Sequence, residues 1–135
     1  MKIKNEKLLA IYRTSGNCEW CGKSCVRREP HHIFSRGAGG PDLDINLIAL
    51  GSTPAFCCAC HTLIEAGNIT RYEVLEYVSR REKTTPAAIE SVIDMIRRLP
   101  KDASQARIRD EIGTLDDEDA IVLTVDELTK AGVIQ

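Results

Sequence analysis

Two Cys-x-x-Cys pairs, Cys18 with Cys21 and Cys57 with Cys60, constrain what this chain can fold into more than any other feature. A pair at that spacing makes a tight knuckle, and two knuckles can close a long loop around one tetrahedral ion. The front of the chain needs such a staple. Residues 1–40 set few large apolar side chains among many Lys, Arg, Gly and Cys, and aromatic residues are only 4% of the whole. Metal-folded peptides gain ~10–16 kcal/mol from a structural zinc, more than so thin a core supplies. The expectation is one Zn²⁺ on Cys18, Cys21, Cys57 and Cys60. Cys25 and Cys58 are then surplus. Cys25 is an alternative to Cys21, and Cys58 to Cys57, but the spacing favours the set named.

Thiols at this spacing hold metal in a reducing compartment and form disulfides in an oxidising one. The first seven residues are charged and lack the apolar run of a secretory signal, and no stretch has the length of a membrane span. The chain is therefore expected to be cytoplasmic, with its thiols free for metal and no membrane partner. Charge is uneven along it. Residues 1–83 carry 12 Lys and Arg against 9 Asp and Glu, a net of +3, whereas residues 84–135 carry 6 against 11, a net of −5. A mildly basic front suits a nucleic-acid surface, and an acidic back does not.

Apolar periodicity and turn residues divide the chain. Residues 1–14 read as partly helical, with Leu8, Leu9 and Tyr12 on one face. Residues 15–29 form the first knuckle, 30–34 a short extended run, and 35–44, with Gly37, Gly39, Gly40 and Pro41, a non-helical loop. Residues 47–50 read as a buried strand, Gly51 to Ala55 as a turn, and 57–66 as a helix ended by Gly67. Thr70 caps the next helix. The clearest one follows, with Thr84 or Thr85 as N-cap, Pro86 in the first turn, and Ile89, Val92, Ile93, Ile96 and Leu99 at helical spacing up to Pro100. Its apolar face needs a partner, either the front of the chain or a second copy. Beyond Lys101 the signal weakens: Asp116 to Asp119 reads as a solvated acidic run, and Thr124 to Leu128 as a last short helix.

All three histidines fall between residues 31 and 61: the doublet His31-His32, and His61 directly after Cys60, with Asn46 between them. The run from Pro30 to Leu50, followed by Cys57-x-x-Cys60-His61 and preceded by Cys18-x-x-Cys21, resembles the HNH endonucleases, the His-Me finger nucleases, over roughly residues 15–70. The resemblance implies an α+β fold: a small ββα-metal finger stapled by the Cys₄ zinc, with a nuclease domain over residues 1–83 and a mainly α-helical acidic extension over 84–135. It also implies a metal-dependent endonuclease that hydrolyses DNA phosphodiesters one strand at a time, with His31 and His61 on a divalent ion and His32 as general base. Asn46 would brace the loop through backbone hydrogen bonds.

Adjacent residues on a regular strand point to opposite faces. His31 and His32 can share one site only if the strand is irregular there, as Pro30 suggests. The reverse assignment, His31 as base and His32 as ligand, is the alternative. Two imidazoles with no carboxylate beside them favour Mn²⁺ over Mg²⁺, with Co²⁺ and Ni²⁺ as further candidates. Arg36, Arg28 and Arg27 flank the doublet and are the expected phosphate contacts, with Lys23 and Arg71 as rim residues. The chain departs from the family where Gly51 stands in place of a cysteine and six residues precede Cys57, so a longer connection is expected, with His61 kept in register. Two rival readings remain: a non-catalytic zinc-knuckle module binding nucleic acid or protein, and a structural Cys₃His cage that takes in His61. The protein is expected to act as a monomer or as a weak homodimer through its C-terminal helices.

Overall fold

The computed structural model describes residues 1–52 and 57–135. Among them are six α-helices and two two-stranded antiparallel sheets, an α+β arrangement. The helix α1 (Glu6–Arg13) starts at Asn5, whose side chain accepts from the Leu8 amide. The first sheet pairs β1 (Gly16–Asn17) with β2 (Ser24–Cys25). Gly22, at φ 79°, makes the turn between them, a conformation that favours glycine.

The second sheet positions the site. Strand β3 (Glu29–His32) runs antiparallel to β4 (Leu47–Leu50), with His31 opposite Ile48 and His32 opposite Leu47. Every side chain of β4 is buried, and its two faces go to different places. Leu47 and Ala49 pack against Leu9 and Tyr12 of α1, while Ile48 and Leu50 enter the main core. Directly opposed residues of an antiparallel pair share a face. His32 therefore lies on the α1 side of the sheet and His31 on the core side. The pairing stays regular through both histidines, so the irregular start expected at Pro30 does not occur. Proline is tolerated because β3 is an edge strand.

Helix α2 (Cys60–Glu65) follows, shorter at its start than the expected 57–66, and ends at Gly67, whose φ is 82°. Only part of the turn expected over residues 51–55 falls within the described residues. Helix α3 (Arg71–Arg81) opens with a full capping box between Thr70 and Glu73. Helix α4 (Pro86–Arg98) has Thr85 as N-cap and Pro86 in its first turn, as the sequence indicates. Ile89, Val92, Ile93, Met95 and Ile96 are fully buried, each burial worth about 2 kcal/mol before entropy is counted. The partner of this stripe is internal: α3 and α6 cover it, leaving none of it for a second copy.

Two further helices depart from the sequence expectation. Helix α5 (Gln105–Ile112) is capped by Ser104 and buries Ile108 and Ile112, too few apolar residues to give a visible period. Helix α6 (Glu118–Lys130) begins well before Thr124, with Asp117 as N-cap. The acidic run is its first turn, where negative charge meets the positive end of the helix dipole. One hydrophobic cluster runs from Ile3 to Ile134 and draws on both the basic front and the acidic back. Among the described residues no helix is long and apolar enough to cross a membrane.

Candidate metal centres and the residues around them

Four thiols, those of Cys18, Cys21, Cys58 and Cys60, gather with every sulfur within 4.8 Å of the others. Zn–S bonds of about 2.3 Å in a tetrahedron set sulfurs about 3.8 Å apart, so the group fits a metal such as zinc. The sequence expectation placed Cys57 in this set. The structure puts Cys58 there, and Cys57 lies in a second group with Cys25 and Cys58. The difference is local: α2 starts at Cys60, so residues 57 and 58 precede the helix and are not bound to its geometry.

The first knuckle is prepared for a thiolate. Burial pushes the Cys18 thiol up, but backbone N–H groups of Cys21, Gly51 and Trp20 outweigh it and bring it down to about 7. Burial pushes Cys58 and Cys60 up, and raises Cys25 to about 12. A cation entering the cluster must therefore displace protons from Cys58 and Cys60. Gly51 is fixed by the same crowd: a Cβ on it would stand 2.4 Å from Cys58 Sγ and 2.5 Å from Cys57 Sγ. Only glycine fits where the family resemblance would have put a cysteine.

Gly51 also sets the second cluster. Its carbonyl accepts from the His61 amide at 3.0 Å, tying the start of α2 to the end of β4. His61 is thereby held against His31, with ring centroids 5.4 Å apart. Glu65, one helical turn beyond His61, completes a group of three donors, His31, His61 and Glu65, whose ligand atoms lie within 4.8 Å of one another. Its Oε1 is 3.5 Å from His61 Nε2. The sequence reading missed this carboxylate, and the His-x-x-x-Glu spacing was the available signal. Burial first, and then the neighbouring His61, push His31 down to about 4. Its ring is thus neutral near pH 7, the form in which imidazole binds a cation. His61 does not join the thiols.

His32 faces the other way. Its Nε2 lies 2.7 Å from Oδ1 of Asp42, a carboxylate with 0% exposure. The second oxygen of Asp42 accepts from the Asn5 amide at 2.8 Å and from Arg36 Nη2 at 3.2 Å. A carboxylate so engaged is an acceptor only, so Nε2 of His32 carries a hydrogen and Nδ1 of the neutral ring keeps its lone pair.

Asn46 is completely buried and braces the loop. Its Oδ1 accepts from the Phe34 amide at 2.8 Å, and its Nδ2 donates to the carbonyls of Phe34 and Pro41, each at 3.0 Å. The loop returns so closely that a Cβ on Gly40 would lie 1.6 Å from the Phe34 carbonyl oxygen.

The three expected phosphate contacts divide. Arg36 lines an open cleft and pairs with Asp42 and, at 3.7 Å, with Glu6. Arg27 is exposed and pairs with Glu29 at 3.1 Å. Arg28 donates to the carbonyls of Thr14, Asn17 and Ile11, so its guanidinium is engaged in holding the end of α1 to the knuckle.

Arg81 of α3 locks these pieces together. It pairs with Glu19 at 2.9 Å and donates to the carbonyls of Asp44 and Leu47, while Glu19 accepts from the Ala49 amide at 2.8 Å. Comparison with protein-family models, with curated proteins and with solved structures finds no match to this chain.

Proposed function

We propose that this chain is a metal-dependent endonuclease of the HNH kind, hydrolysing DNA phosphodiesters one strand at a time. The observation that carries the reading is the convergence of His31, His61 and Glu65 at the junction of β3, β4 and α2, next in sequence to a histidine oriented by a buried carboxylate. On this reading, β3, β4 and α2 are the ββα-metal finger, and the thiol cluster is its zinc staple. Two nitrogens and one carboxylate oxygen suit a divalent first-row ion such as Mn²⁺, and Glu65 makes the set more hospitable to Mg²⁺ than two imidazoles alone.

A divalent ion held there would supply positive charge to the phosphate and to the departing oxygen. His31, already neutral, gives up no proton in binding it. Nδ1 of His32 accepts the proton of the attacking water, and Asp42 holds the ring and stabilises the imidazolium that results. His31 and His32 lie on opposite faces of a regular β3, so the ion and the base would have to act from the two sides of the strand's free edge, β3 pairing with β4 alone among the described residues. Asn46 keeps the loop that carries Asp42 against β3. One such centre per chain cuts one strand per encounter, as a monomer in the cytoplasm would.

A purely structural zinc-knuckle module accounts for the thiols but gives the histidines and Glu65 no role. The test is supercoiled plasmid incubated with Mn²⁺, Mg²⁺, Co²⁺ or Ni²⁺, with and without chelator, comparing the parent with His32→Ala and Glu65→Gln. The parent is expected to yield nicked circles before linear product, fastest in Mn²⁺. His32→Ala should lose about 10²–10⁴-fold in rate, and Glu65→Gln should need more metal to reach its maximum. Intact plasmid with the parent in all four metals would overturn the proposal.

A further inference from the structure

Phe34 carries two guanidinium groups on its ring, brought by different helices. Arg71, the first residue of α3, lies 5.0 Å from the ring centroid, and Arg97, near the end of α4, lies 5.1 Å from it. The two cations are thus within about 10 Å of each other. A ring face attracts a cation but accepts none of its N–H donors in the way an oxygen does. Among the described residues neither arginine forms an ion pair. Nε of Arg97 is buried without a hydrogen-bond partner. Two neighbouring cations lacking any carboxylate make an arrangement that an external anion would complete.

The arrangement continues along the glycine-rich loop. The stem of Arg97 packs on Gly39, where a Cβ would stand 3.4 Å from its Cγ. On the other side of that glycine, Lys2, Lys4 and Arg36 line an open cleft of about 440 Å³ together with Gly37 and Gly40. Glu6, 72% exposed, is the one carboxylate lining it, while Arg36 also reaches the buried Asp42 beneath at 3.2 Å. Five cations, Lys2, Lys4, Arg36, Arg97 and Arg71, therefore follow the loop that begins just after His32, on a chain whose net charge is −2.

We infer that this band is the track for the sugar–phosphate backbone of a nucleic acid on one side of the bond to be cut, and that α4 supplies part of it. The inference rests on the endonuclease reading for its placement beside the cleavage site, but binding can be measured without cleavage. A small anion needs one enclosed clasp. A row of cations along an open loop instead matches a polymer with regularly repeated negative charge. Stacked guanidiniums can also meet a phosphate with two donors each.

The experiment uses the full zinc-loaded chain carrying His32→Ala, with no other divalent ion added so that cutting is suppressed, and follows a fluorescein-labelled DNA duplex by anisotropy across a salt series. The variants are Lys2→Gln with Lys4→Gln, Arg71→Gln with Arg97→Gln, and Arg71→Gln with Arg97→Lys. Arg107→Gln on α5 is the control, and thermal melting confirms that each is folded. Each Gln pair is expected to weaken binding about tenfold or more at moderate salt. Each should also lower the slope of log K against log salt by about 1.8, the value for two phosphate contacts. Arg97→Lys should recover part of the loss, and Arg107→Gln should change nothing. Three results would overturn the inference: Gln pairs within twofold of the parent with an unchanged slope, an equal loss in Arg107→Gln, or equal affinity for polyglutamate. Plasmid cleavage that fails while these binding effects appear would sink the endonuclease reading and leave the track standing. Cleavage with no such effects would do the reverse.

Discussion

Nε2 of His32 lies 2.7 Å from Oδ1 of Asp42, and that carboxylate is completely shielded from solvent. The contact assigns the tautomer of the ring, because an ionised carboxylate can only accept. Asp42→Asn keeps the volume and lets the ring rotate or change tautomer. It is expected to lower the nicking rate by about 10–100-fold while leaving metal affinity at the His31 centre unchanged. A plasmid time course beside a Mn²⁺ titration separates the two quantities. An unchanged rate would mean that Asp42 does not orient the base.

The choice between Cys57 and Cys58 can be read from metal content. Cys58→Ser is expected to reduce bound zinc well below one per chain and to lower the melting temperature sharply. Cys57→Ser should keep one zinc, since its sulfur belongs to the neighbouring group with Cys25. The opposite pattern, measured by elemental analysis of dialysed protein, would restore the Cys-x-x-Cys pairing.

His31 makes stability depend on pH in a definite direction. Its folded pKa, about 4, is below its ordinary value of 6.5. As pH falls through 6.5 the unfolded chain takes the proton first, so stability is lost between about 6.5 and about 4 and the loss levels off below that. The slope cannot exceed about 1.4 kcal/mol per pH unit, and partial solvent exposure reduces it. Urea unfolding of zinc-loaded protein, with no other divalent ion added, at several pH values should show this loss. His31→Gln should be flatter over the same window. Identical pH profiles for the two proteins would remove His31 as the cause.

Gly51→Ala introduces a methyl group where three sulfurs already crowd, at 2.4, 2.5 and 3.1 Å. The expected cost is about 1–3 kcal/mol, with weaker zinc retention and a displaced His61. Melting temperature and zinc release to a chromogenic chelator report the first two effects. A variant as stable as the parent would show that the thiols have room to move.

The parts of the site that the sequence makes legible are those built from rare residue types. Six thiols and three imidazoles have few bland uses in one short window, and Asn46 sits between the two histidine positions. Glu65 and Asp42 escaped notice because carboxylates are common on helices and loops, and neither spacing nor charge separates a ligand from a solvated side chain. Cys58 displaced Cys57 because a helix start three residues later changes which thiol points inward, and helix starts are poorly marked in sequence. α4 stood out through its apolar period. α5 did not, having two buried positions, and α6 was shortened because its acidic first turn resembled a solvated run. The role of Arg97 could not be read at all, since nothing local links it to Phe34, which is 63 positions earlier.

The hydrogen bond from the His61 amide to the Gly51 carbonyl has a practical corollary. It pins the first turn of α2 directly to the end of β4, so the thiol cluster and the group of His31, His61 and Glu65 share one backbone anchor. A displacement at Gly51 is therefore felt by both groups at once, and neither centre can be re-engineered without the other.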